Sequence, residues 1–124
     1  MRIVVLATAN EDVGLLRCAT RTGELRVRWR GALIPAPGES RDVELEVVGE
    51  LTWGENAGLV DEAPRALGSD ALVGTVEAID GDLVVLRIDD GLVLAEVLGQ
   101  PPSAALGKSA FVRPEGLEAW PTGI

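Results

Sequence analysis

The chain reads as an all-β protein made of two small β-barrel repeats in tandem. Three observations predict this. Short runs rich in Val, Leu and Ile alternate with polar residues at period two, and Gly, Pro, Asp and Asn turn signals separate them. The sequence also repeats once: Gly23, Gly38 and Trp53 recur as Gly91, Gly107 and Trp120. GELRVRWR (23–30) and GELTW (49–53) correspond to GLVLAEVL (91–98) and GLEAW (116–120). Finally, the chain has 124 residues and is 47% apolar, which suffices for one real core. Units of about 60 residues would each be marginal alone, so the repeats are expected to pack on each other.

The elements follow in order. Residues 2–8 (RIVVLAT) are a β-branched run ending at Asn10-Glu11-Asp12, and residues 13–19 (VGLLRCA) form a second. After the Thr22-Gly23 turn, residues 24–30 alternate: Leu25, Val27 and Trp29 face one way, and Arg26, Arg28 and Arg30 the other. Residues 31–41 carry Pro35, Pro37 and Gly38 and read as a loop. Residues 42–48 put Val43, Leu45 and Val47 inward, and Gly49 breaks the run before Leu51 and Trp53. Residues 57–70 read as a linker, with a helical turn at Ala63–Leu67 led by Pro64. The second unit has strands at 71–79, 83–89 and 92–98, with hairpin signals at Asp80-Gly81 and Asp90-Gly91. Pro101-Pro102 ends the third strand. Ser103–Leu106 reads as a short helix capped by Gly107, and strands follow at 109–113 and 117–120. Three strands, a loop, then one or two more strands suit a five-stranded barrel of the OB type. The expected architecture is two OB-like repeats, residues 1–56 and 71–124, packed together around the 57–70 linker.

The second unit also carries a set of recognisable phrases. These are Gly74-Thr75-Val76, Asp80-Gly81, Asp90-Gly91-Leu92, Leu106-Gly107 and Val112-Arg113-Pro114-Glu115-Gly116-Leu117. Over residues 71–120 it resembles a TOBE module, the OB-like domain appended to the ATPases of ABC importers and related to molybdate-binding modules. The first unit keeps only the skeleton of these phrases. The resemblance implies a binding module for a small ligand or oxyanion. No Walker A sequence is present, so the ATPase itself is not implied.

Composition narrows the chemistry. There are 11 basic and 20 acidic residues, a net charge of −9, which repels phosphates and argues against nucleic-acid partners. No histidine is present, which removes the commonest general base and most zinc sites. The single cysteine, Cys18, cannot form an intramolecular disulfide and reads as a small buried hydrophobe. The acidic cluster Glu77, Asp80, Asp82, Asp89 and Asp90 reads as solvated turns, because Asp is favoured before glycine and no EF-hand spacing is present. With no signal-peptide pattern and no apolar run of about 18 residues, a soluble cytoplasmic protein without membrane insertion is expected.

The arginines stand out. Residues 1–56 carry 7 basic and 9 acidic side chains, net −2, and the remainder 4 and 11, net −7. Arg26, Arg28, Arg30 and Arg17 form a cationic strip. It is either paired internally, with Glu44 and Glu46 as candidates, or open to an acidic partner through charge-assisted contacts. With Trp53 as an aromatic anchor, these residues are the candidate partner-binding set. Lys108 and Ser109 are the candidate ligand-binding pair for a small anion. No cofactor, metal ligand set or catalytic residue is assigned. The expected function is non-catalytic binding, foremost a protein–protein interaction or an inhibitory, immunity-like role. A small-ligand or oxyanion module of a transport system comes second, and a carboxylate-dependent enzyme third.

Overall fold

The computed structural model describes residues 1–10, 14–21, 23–63 and 71–122. It is all-β, with two barrel-like units. The strands are β1 (Arg2–Asn10), β2 (Leu15–Thr20), β3 (Gly23–Trp29), β4 (Ser40–Val48), β5 (Leu51–Thr52), β6 (Ala57–Leu59), β7 (Leu72–Asp80), β8 (Leu83–Ile88), β9 (Gly91–Leu98), β10 (Ser109–Val112) and β11 (Gly116–Pro121). A single 3₁₀ turn spans Val60–Glu62. No helix among the described residues is long and apolar enough to cross a membrane.

The first unit is a closed barrel of β1, β2, β3, β11 and β4. The second is a six-stranded sheet in the order β5-β9-β8-β7-β10-β6. A bridge from Trp53 to Ala57 links the β5 end of this sheet to its β6 end and nearly closes it. The division by sheet is not the division by sequence. β11 lies in the second repeat but runs parallel to β3 and antiparallel to β4. β5 lies in the first repeat but runs parallel to β9. Each repeat therefore lends a strand to the other, and the lent strand is in each case added in parallel to the third strand of the recipient. Residues 57–59, read from sequence as the start of a linker, pair with β10 as β6.

Period-two alternation explains the burial. In β3 the inward residues Leu25, Val27 and Trp29 are buried and the arginines between them exposed. β9 does the same with Val93, Ala95 and Val97 inward and Leu92, Leu94, Glu96 and Leu98 outward. The buried side chains of both units form one continuous hydrophobic cluster. Each buried Leu, Ile or Val contributes about 1.5–3 kcal/mol. Edge contacts add to this: Arg2 donates from Nε and Nη2 to Asp42 Oδ1 and Oδ2, both at 3.2 Å, tying β1 to β4.

Three expectations need correction or relocation. The short helix at Ser103–Leu106 is absent: the segment is a pair of turns, and Ala104 has φ 55, a left-handed conformation that a right-handed helix cannot include. The second hairpin of the second unit turns on Asp89 and Asp90, not on Gly91, because Ile88 already pairs with Gly91 and Asp89 takes the positive φ of 54. The helical turn expected at Ala63–Leu67 falls on residues 64–70, outside the described residues, and Ala63 itself is extended.

Candidate functional site

The outer face of the closed barrel carries the arginines. Arg26 and Arg28 project from β3 and are exposed. Sheet pairing fixes their neighbours: Arg26 lies opposite Arg17 on β2, and Arg28 opposite Leu15 on β2 and Glu118 on β11. Glu44 and Glu46 are not their cross-strand partners. β11 is inserted between β3 and β4, and Glu46 is a neighbour of Glu118 instead.

The strip divides into paired and unpaired members. Arg30 Nε lies 2.9 Å from Glu118 Oε2, and its guanidinium sits 5.4 Å from the centre of the Trp120 ring. Arg17 Nε lies 3.9 Å from Glu24 Oε2. Arg26 and Arg28 form no ion pair with any described residue. Internal pairing therefore accounts for two of the four arginines in the strip. Arg26, opposite the like charge of Arg17, sits where cross-strand repulsion is mildly unfavourable.

Arg26 and Arg28 line a groove of 430 Å³, together with Leu15, Val48, Glu115 and the stretch Gly116–Glu118. The groove exists because an outward-facing position of β11 is glycine. An added Cβ at Gly116 would meet nothing closer than Val48 Cβ at 4.0 Å. Two cationic forks beside an open floor, with Leu15 and Val48 as aliphatic wall and Glu115 and Glu118 on the opposite side, can seat a carboxylate attached to an apolar stem.

Trp53 is placed elsewhere. It follows β5 in the six-stranded sheet, packs partly against the core, and lines a separate groove of 390 Å³ with Phe111 and Arg113. The Arg113 guanidinium lies 5.0 Å from the Phe111 ring. Trp53 and the arginines share no groove. Lys108 and Ser109 are exposed at the start of β10 and line neither groove. The Lys108 backbone accepts from Val76 N–H at 2.9 Å and donates to Ala105 O at 3.0 Å, so its peptide groups serve the fold.

Sequence reasoning missed Trp120 as a surface feature. It is 42% exposed on the outer face of β11, and its Nε1 donates to Glu46 Oε2 at 3.0 Å. The signal was present: Trp120 alternates with the inward residues Leu117 and Ala119. It also missed the cleft of 580 Å³ between β4 and β9, lined by Glu44, Glu46, Leu92 and Leu94. In the acidic cluster, Glu77 pairs with Arg87, and Asp89 Oδ2 accepts the Arg21 backbone N–H at 3.1 Å. No group of three or more potential ligands is arranged to hold a metal ion among the described residues. Cys18 is fully buried, and burial pushes its thiol up to about 11.

No protein-family model matches the chain, no curated protein matches its sequence, and no solved structure matches its fold. The fold alone thus sets the class: an all-β protein of two barrel-like units that exchange a strand.

Proposed function

We propose that this protein is a non-catalytic interaction module that grips a carboxylate-bearing protein surface in the groove of Arg26 and Arg28. One observation carries the reading. These two arginines are exposed, unpaired among the described residues, and line a groove with an open floor at Gly116. Arginine offers a bidentate fork to carboxylates, and these two forks are open to solvent and to a partner. The kinship of residues 71–120 to TOBE modules remains part of this proposal at the level of fold, and the barrel-like second sheet is compatible with it.

The test is binding of a Glu-rich peptide by fluorescence polarisation. Wild type is expected to bind, with affinity falling as salt rises. The Arg26→Glu/Arg28→Glu variant should lose binding at least about tenfold, since like charges then face each other. Gly116→Leu should block the groove sterically without altering its charge. Undiminished binding in both variants would defeat the proposal. A thermal shift with molybdate, tungstate or sulfate that disappears in Lys108→Ala would favour the oxyanion reading instead.

A further inference from the structure

Charge on this surface is ordered. From β3 across β11 to β4 it passes from Arg26 and Arg28, through Trp120 and the Arg30-paired Glu118, to Glu44 and Glu46. Beyond the glutamates the surface continues onto β9, where Leu92 and Leu94 are 49% and 54% exposed. Trp120 is held in place on both sides, by Glu46 at its indole nitrogen and Arg30 over its ring. An exposed but fixed tryptophan beside arginines is the composition of an interface anchor. Exposed apolar side chains flank this surface, Val48 in the arginine groove and Leu92 and Leu94 in the cleft beyond Glu44 and Glu46, and fit the same reading.

The arrangement is self-complementary. A two-fold rotation about an axis along β11 brings the β4 flank of one copy over the β3 flank of another. Arg28 and Glu46 share one cross-strand row, since both are register neighbours of Glu118. The rotation therefore places Arg28 of each copy against Glu46 of the other, with Trp120 and Glu118 of both copies along the axis, each Glu118 already paired with Arg30 of its own chain. An isologous interface requires such a face, matched to itself after half a turn. We infer that the acidic partner of the Arg26/Arg28 groove is the Glu44/Glu46 flank of a second copy of this chain. The inference rests on the proposed role of these arginines and adds the identity of the partner.

Sedimentation equilibrium of the full chain tests it. Wild type is expected to be a dimer. Arg28→Glu and Glu46→Arg should each weaken dimerisation at least about tenfold, because each sets like charges face to face. The double exchange Arg28→Glu/Glu46→Arg should recover most of the loss. Glu44→Arg serves as a second probe of the acidic flank, free of the Glu46–Trp120 hydrogen bond, and circular dichroism verifies that every variant is folded. A wild type that stays monomeric overturns the inference, as does a dimer indifferent to Arg28→Glu or a folded double variant that stays monomeric. A monomer that still binds the Glu-rich peptide through Arg26 and Arg28 leaves the interaction-module reading standing and removes only the second copy.

Discussion

Two residues show how burial decides chemical behaviour here. Cys18 sits inside the closed barrel, where the thiolate loses its hydration, so the thiol is held protonated with its pKa raised to about 11. A native chain should react with a thiol-specific disulfide reagent only as fast as it unfolds, and a fast stoichiometric reaction in buffer would contradict this. The same shift predicts a pH effect. Between the ordinary thiol value of 9.0 and about 11, the unfolded chain has released the proton and the folded chain still holds it. Stability is therefore fully present below that window and falls as pH rises through it. Urea unfolding should show a shallower decline over this range in Cys18→Ala than in wild type. Trp29 is the complementary case. Its indole is buried with Nε1 lacking a hydrogen-bond partner among the described residues, and an added Cβ at Gly31 would come within 2.7 Å of that nitrogen. Dense packing has been favoured there over a polar partner.

The connections matter as much as the strands. The two crossovers that exchange β5 and β11 touch: an added Cβ at Gly49 would fall 2.9 Å from Glu115 Cβ and 2.8 Å from its Cγ. Gly49 also has φ 100, a conformation that L side chains rarely adopt. Gly49→Ala should cost about 1–3 kcal/mol, read as a lowered thermal midpoint. Gly116→Ala, whose Cβ would make only an ordinary contact with Val48 Cβ at 4.0 Å, should stay within about 0.5 kcal/mol of wild type. Equal effects would mean that the crossovers are not in contact. The strands themselves were legible in the sequence because alternation is local: Leu25, Val27 and Trp29 declare an inward face wherever β3 is placed. Their pairing was not legible. GLEAW carries the same local pattern beside either barrel, and only the meeting of free edges decides which one it joins. The fate of the arginine strip was hidden for the same reason. Arg30 is neutralised by Glu118, which arrives from the other repeat, while Glu44 and Glu46, the expected partners, lie one strand further away. Trp53 and Trp120 matched in sequence, yet one lines a groove beside Phe111 and the other stands exposed against Glu46.

At the scale of the whole molecule, the exchange makes the repeats interdependent. Residues 1–62 contain β5 and β6, which serve the second sheet, and lack β11, which closes the first barrel. Residues 71–124 supply β11 and lack β5 and β6. With one shared core, thermal unfolding should be a single transition with coincident far-ultraviolet and tryptophan signals. Fragments 1–62 and 71–124 should each be unfolded alone and regain β-structure when mixed. A fragment 1–62 that melts cooperatively by itself would show that the barrel closes without its borrowed strand. The borrowed strand also sets a timetable. On the ribosome, β1 to β4 emerge well before β11, and the gap between β3 and β4 cannot be filled until the whole second sheet has been translated. Domains usually fold in the order they are made. Here the first barrel must wait with two strand edges open, and open edges invite pairing with other chains. Newly made molecules are thus most exposed to mispairing in the interval before residues 116–121 leave the exit tunnel, and a slow codon within that interval would lengthen it.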